Sequence, residues 1–164
     1  MILVSACLAG IPCKYHGGDN LIQPVAELIA KGLAIPVCPE VLGGLATPRE
    51  PVDIEQGDGF DALAGRARLL NESGQEVTAE FLAGAARVLQ IARRHDVKAA
   101  ILKERSPSCG SSWIYNRLPG TTAVRRKLVD GMGVTAALLT KNNIQVFSEE
   151  QVTEELLNKL NRKI

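Results

Sequence analysis

Four cysteines, Cys7, Cys13, Cys38 and Cys109, are the residues of this chain best suited to chemistry. Cys7 follows the apolar run Ile2 to Ala6, Cys38 follows Leu33 to Val37, and Cys109 lies a short loop beyond Val97 to Leu102. Each run has the near-continuous apolar character of a buried parallel strand. In an open α/β sheet the carboxyl ends of such strands share one edge, and ligands bind there. Cys13, across a Gly-Ile-Pro loop from Cys7, is placed to curl back to the same edge. A single cysteine at a strand end is ordinarily a small buried hydrophobe; three in equivalent positions point to a shared site. Thiolates are soft ligands that suit zinc, copper(I) or iron–sulfur clusters. Structural zinc favours close cysteine pairs, whereas this chain has no Cys-x-x-Cys and only His16 and His95 as histidines. A four-iron cluster (4Fe-4S) tolerates distant ligands. With Cys7, Cys38 and Cys109 as metal ligands one iron is left open, and Cys13 either supplies the fourth ligand or stands just outside.

Polar residues near the cysteines fall into a ranked set. Glu40, two positions beyond Cys38, is the first candidate for general acid–base work, and Glu104 the second. Ser106 and Ser108 are candidate hydrogen-bond donors to cluster sulfur or substrate, although turn hydrogen bonds are their ordinary role. Lys14, Tyr15 and His16 lie in the first crossover loop and are expected to reach over the site. Arg49 is read either as an anion binder or as a partner of Glu50 or Glu55. Trp113 and Tyr115 follow Cys109 and are suited to stacking on a planar heterocycle, although half-buried packing is their ordinary role. Asp58 and Asp61 border glycine-rich turns, where capping is expected. There is no Gly-x-Gly-x-x-Gly or Gly-x-x-x-x-Gly-Lys-Ser/Thr stretch, so a small-nucleotide-binding domain is the lesser alternative. Cys109 as a lone nucleophile lacks a local activating base.

The elements that must position these residues alternate between strand and helix. Beyond the three runs above, Ile144 to Phe147 is expected as a fourth strand, and Val52 to Ile54 with Ala67 to Leu70 as a weak hairpin. Helices are predicted after Asn20 through Lys31, over Val77 to His95 with Thr78 as cap, over Ala123 to Val129, over Thr135 to Lys141, and from Glu149 onward. The region from Cys109 to Gly120 is read as loop, and Arg125, Arg126 and Lys127 as a solvated helix face. This alternation predicts an α/β fold, a Rossmann-like three-layer sandwich around a mainly parallel central sheet. With 164 residues and 46% hydrophobic composition the chain suits one domain, residues 1–164. Lys and Arg total 19 against 18 acidic residues, a balance that argues against nucleic acid or anionic membrane as partner. The start lacks a basic n-region and no run is long enough to span a bilayer. A cytoplasmic, reducing location follows, where cysteines serve as thiols or metal ligands. Whether the chain is a monomer or a homodimer is open at this level.

Ser5-Ala6-Cys7-Leu8-Ala9-Gly10, Cys38-Pro39-Glu40 with Gly43-Gly44-Leu45, Pro48-Arg49, Ser106-Pro107-Ser108-Cys109-Gly110 and Gly133 to Leu139 together resemble the domain-of-unknown-function family 523. The likeness spans nearly the whole chain. The best functional analogy within that family is a thiouracil desulfidase. This resemblance implies a 4Fe-4S cluster on Cys7, Cys38 and Cys109. It also implies an iron-sulfur-dependent desulfidase that removes sulfur from a small thiolated heterocyclic substrate by cluster-assisted hydrolysis, without net redox chemistry. Cys13 is extra to that three-ligand arrangement. A non-catalytic metal-binding or redox-sensing protein is the main alternative.

Overall fold

The computed structural model describes residues 1–118 and 126–162. The chain opens with β1 (Ile2–Ser5), a 3-10 turn over Ala6–Ala9, α1 (Gln23–Ala30), β2 (Ala34–Val37) and the short α2 (Pro39–Leu42). It continues through β3 (Val52–Glu55), α3 (Gly59–Leu63), β4 (Arg68–Asn71), α4 (Thr78–Arg94) and β5 (Ala99–Leu102). Then come β6 (Trp113–Arg117), β7 (Arg126–Asp130), α5 (Val134–Lys141), β8 (Gln145–Ser148) and α6 (Glu154–Asn161).

Four strands form an all-parallel sheet in the order β2-β1-β5-β8. Its strands are apolar on both faces because both are covered. On one face Ile2, Val4, Ala34, Ala99 and Ile101 pack with Val25 and Leu28 of α1 and Leu160 of α6. On the other, Leu3, Val37, Ala100 and Leu102 meet Val88, Leu89 and Ala92 of α4 and Ala136 and Leu139 of α5. The predicted three-layer α/β sandwich is thus present. Among the described residues no helix is long and apolar enough to cross a membrane.

A second sheet, order β4-β3-β6-β7, was not anticipated beyond its β3–β4 hairpin. Here β3 pairs parallel with β6, and β6 antiparallel with β7. This corrects two expectations. The stretch read as loop after Cys109 contains β6, and residues 126–129 of the predicted helix are strand; residues 123–125, Arg125 included, lie outside the described residues. Strand β7 is exposed at four of its five positions, so its amphipathic sequence carries no burial signature, and pairing to β6 decides its conformation. The second core joins Val52, Ile54, Leu69 and Ile114 to Phe81 and Ala85 of α4. The first half of α4 therefore faces the mixed sheet and its second half the parallel one, which ties both sheets to one helix.

Helix ends differ in detail from the expectations. Helix α1 starts after Ile22, with Pro24 in its first turn, rather than at an Asn20 cap. Val77 occupies the N-cap of α4, and the Thr78 hydroxyl instead accepts from the Leu69 backbone N–H at 2.9 Å, joining α4 to β4. Asp58 and Asp61 do form a reciprocal capping box on α3.

Candidate metal centre

Strand β1 lies between β2 and β5 and runs parallel to both. Their three carboxyl ends therefore open on one edge, and a cavity of about 330 Å³ lies there, lined by all four cysteines. Cys7 sits in the 3-10 turn after β1; its carbonyl accepts from the Asn20 N–H at 2.9 Å, and the Asn20 side-chain amide points at its sulfur, 3.9 Å away. Cys38 is the N-cap of α2. Cys109 ends a turn in which the Ser106 hydroxyl accepts from the N–H groups of Ser108 and Cys109. Cys13 hangs from the loop between β1 and α1, and its carbonyl accepts from Arg49 Nη2 at 2.8 Å.

The placement of α2 depends on bare backbone. A Cβ on Gly84 of α4 would stand 1.9 Å from the Pro39 carbonyl, and one on Gly43 would stand 2.0 Å from the Glu80 carbonyl. Only glycine at both positions lets the two helices approach this closely and hold Cys38 at the cavity. Gly133 does the same for the Cys109 loop, where a Cβ would meet the Ser108 carbonyl carbon at 2.5 Å.

The thiols are electrostatically distinct. Cys7 and Cys38 are both lowered, each chiefly by a hydrogen bond from the Cys13 thiol and against the cost of burial. Cys38 is lowered to about 6, helped by the Val41 N–H. Cys13 is raised, because it keeps its proton as donor to Cys38 and Cys7. Burial pushes Cys109 up to about 12, against hydrogen bonds from Ser5 and Ser108. Among the described residues no three His, Cys, Asp or Glu side chains gather tightly enough for a single metal ion. The four free thiols are soft donors lining one cavity, with the Asn20 amide 3.9 Å from the Cys7 sulfur and the Ser108 hydroxyl 3.7 Å from the Cys109 sulfur. That donor set fits a thiolate-held iron–sulfur cluster.

Of the predicted polar residues, Glu40, Ser106 and Ser108 share the cavity wall. Glu40 Oε1 accepts from Arg49 Nε and Oε2 from the Ser108 hydroxyl, both at 3.1 Å; the Ser106 and Ser108 hydroxyls lie 3.1 Å apart. Arg49 is therefore paired with Glu40, not with Glu50 or Glu55, which engage Ser73 and Arg68. Glu104 borders the cavity but is spent on the backbone. Its Oε1 accepts from the N–H groups of Arg105, Ser111, Ser112 and Trp113, and its Oε2 from the Ser111 hydroxyl at 2.9 Å. Although burial works against it, those donors hold its carboxyl below the usual range. Lys14, Tyr15 and Tyr115 line the cavity, whereas His16 and Trp113 are not among the lining residues.

Sequence reasoning missed several contributors. Asn20 was read only as a helix cap, and Arg126 only as surface charge. Arg126 instead pairs with Asp53 at 2.8 Å and lies 4.1 Å over the Tyr115 ring at the cavity wall. Ser5 accepts from the Lys103 N–H at 2.9 Å while its hydroxyl reaches Cys109. No local motif marks these contacts, since each joins distant segments.

Known proteins resemble this chain along nearly its whole length. The chain is 44% identical over 156 residues to the uncharacterized protein YbbK of Bacillus subtilis (strain 168), covering 95% of this chain and 100% of that one. It is 42% identical to a solved structure described as a 4Fe-4S-dependent thiouracil desulfidase, TudS. The likeness covers 98% of this chain and 97% of that one, with a TM-score of 0.80. The model of the 2-thiouracil desulfurase family matches residues 2–151. With thiols converging at a parallel-sheet edge and likeness along nearly its full length, the chain belongs to the 2-thiouracil desulfurase family.

Proposed function

We propose that this protein is a desulfidase that holds a 4Fe-4S cluster on Cys7, Cys38 and Cys109 and removes sulfur from a small thiolated pyrimidine by hydrolysis. The observation that carries the reading is one cavity lined by four cysteines together with the Arg49–Glu40–Ser108 chain. When bound, the cluster supplies a Lewis acid at an iron that attracts the substrate's sulfur. The chain supplies the rest. Arg49 occupies one oxygen of Glu40 and fixes the carboxylate plane, so the other oxygen stays at the cavity beside Ser108. Glu40 takes a proton from water as the water oxygen attacks the thiocarbonyl carbon and returns it to the departing sulfur; it then relays the remaining hydroxyl proton to that sulfur as the carbonyl forms. Thiocarbonyl and water become carbonyl and hydrogen sulfide, with no electrons exchanged. Ser106 and Ser108 orient the water and the substrate, and Tyr15 and Tyr115 border the heterocycle. Glu104 is assigned to the loop that carries Cys109 rather than to proton transfer, because its acceptor capacity is already filled.

The whole chain, as one domain, acts on a free small molecule in the cytoplasm; its balanced net charge of +1 supports that over nucleic acid. A purely redox-sensing centre would have no use for the Glu40–Ser108 pair, which favours catalysis. Anaerobic reconstitution followed by absorption and electron paramagnetic resonance, with sulfide release from 2-thiouracil, tests both parts. Cys7→Ala, Cys38→Ala and Cys109→Ala are expected to lose the cluster. Glu40→Gln is expected to keep it and lose about 10²–10⁴-fold in rate. A folded wild-type chain that takes up no cluster overturns the proposal.

A further inference from the structure

The three cysteines that leave strand ends are fixed by the sheet, but the fourth is built differently. Cys13 is carried by the irregular loop between Gly10 and Lys14. It is nonetheless 8% exposed, inside the cavity that Cys7, Cys38 and Cys109 also line. Its backbone contacts are few: the Cys13 N–H donates to the Ile11 carbonyl at 2.8 Å, and its carbonyl accepts from Arg49 Nη2 at 2.8 Å and from the Cys38 thiol at 3.8 Å. A buried thiol tethered beside a coordination site has a high effective concentration there. As a soft donor it outcompetes water for iron.

We infer that Cys13 is a detachable fourth ligand, closing the cluster at rest and yielding its place to the substrate's sulfur. The inference rests on the function proposed above and adds a regulatory step at the same site. With a cluster loaded, iron would displace the Cys13 proton to solvent, and the sulfur would bond the iron that Cys7, Cys38 and Cys109 leave open. When substrate arrives, its sulfur lone pair forms the new bond. The iron bond to Cys13 would break as that bond forms, and its sulfur would take a proton back from solvent and withdraw with the loop. The exchange moves one ligand and one proton, and no electrons. The loop makes it feasible, because retreat of Cys13 requires no change in a strand or helix.

The test is iron retention. A 4Fe-4S cluster with only three protein thiolates loses its unligated iron on mild oxidation and becomes a three-iron cluster with a distinct paramagnetic signal. The wild-type protein, Cys13→Ala and Cys13→Ser are reconstituted anaerobically and titrated with ferricyanide, with iron per chain and the paramagnetic spectrum followed. The wild type is expected to keep all its iron. Both variants are expected to lose about one iron in four and develop the three-iron signal, and addition of 2-thiouracil is expected to make the wild type lose iron as they do. Equal loss from all three proteins without substrate overturns the inference while leaving the desulfidase proposal standing, and so does equal retention. Absence of a cluster from the folded wild type overturns both. Circular dichroism of the metal-free variants separates a folding defect in one substitution from a ligand effect shared by both.

Discussion

Glu40 and Glu104 start from similar positions, each a carboxylate close to a cysteine, and the partners of each decide its use. Glu40 meets two side chains, one of them a hydroxyl at the cavity. Glu104 is 3% exposed and collects backbone N–H groups from four residues, which makes it the clasp of the Cys109 loop. Its depressed carboxyl links folding to pH. A carboxyl whose folded value lies below the ordinary 4.5 stabilises fully above that value, and the contribution fades as pH falls through the folded value. Glu104→Gln is therefore expected to lower the stability of the metal-free chain at pH 7 by about 1–3 kcal/mol. The gap to wild type should narrow as the pH drops below 4.5. Urea titrations across that range measure it, and a gap independent of pH would contradict the assignment.

At the scale of elements, the close approach of α2 to α4 carries the site. Replacing glycine by alanine inside an exposed helix usually gains about 1 kcal/mol of helix propensity. At Gly84 the added methyl would lie 1.9 Å from the Pro39 carbonyl, and overpacking against a backbone atom costs about 1–3 kcal/mol or more. The collision wins. Gly84→Ala is expected to lower the melting temperature and, by displacing Cys38, to impair iron uptake. Gln90→Ala, on an exposed position of the same helix, should leave both within error. The strands and long helices around this contact were legible because each buries a face with a regular period. The contact itself was not, since a glycine in a helix announces neither its neighbour nor the distance. The β6–β7 ribbon failed for a related reason: its partner strand, rather than its own pattern, sets its conformation.

For the whole molecule, the thiols belong to segments held together by the sheet and joined beyond it by hydrogen bonds and by the packing of Cys7, Cys13 and Cys38. Lys103 and Glu104 are further clasped by Glu149 at the end of β8, which adds the fourth strand end to the same edge. A cluster bonded across these segments binds only the folded state and so stabilises it. Loading is expected to raise the melting temperature and to slow amide exchange in residues 6–20, 38–49 and 103–112. Exchange in β4, which lies in the other sheet and contributes no residue to the cavity wall, should be unchanged. Uniform slowing across both sheets would show that the cluster does not act by linking these three segments.

The amino-acid order alone determined the class of fold, the strand ends that carry Cys7, Cys38 and Cys109, and the soft-ligand chemistry. Apolar periodicity and ligand type are local properties, written wherever a segment lies. Which strand stands between which, the second sheet, the Arg49–Glu40–Ser108 chain and the seat of Cys13 in the cavity of the other cysteines were decided only by tertiary structure. Each joins residues far apart along the chain, and such contacts depend on how whole elements pack rather than on any one stretch of residues.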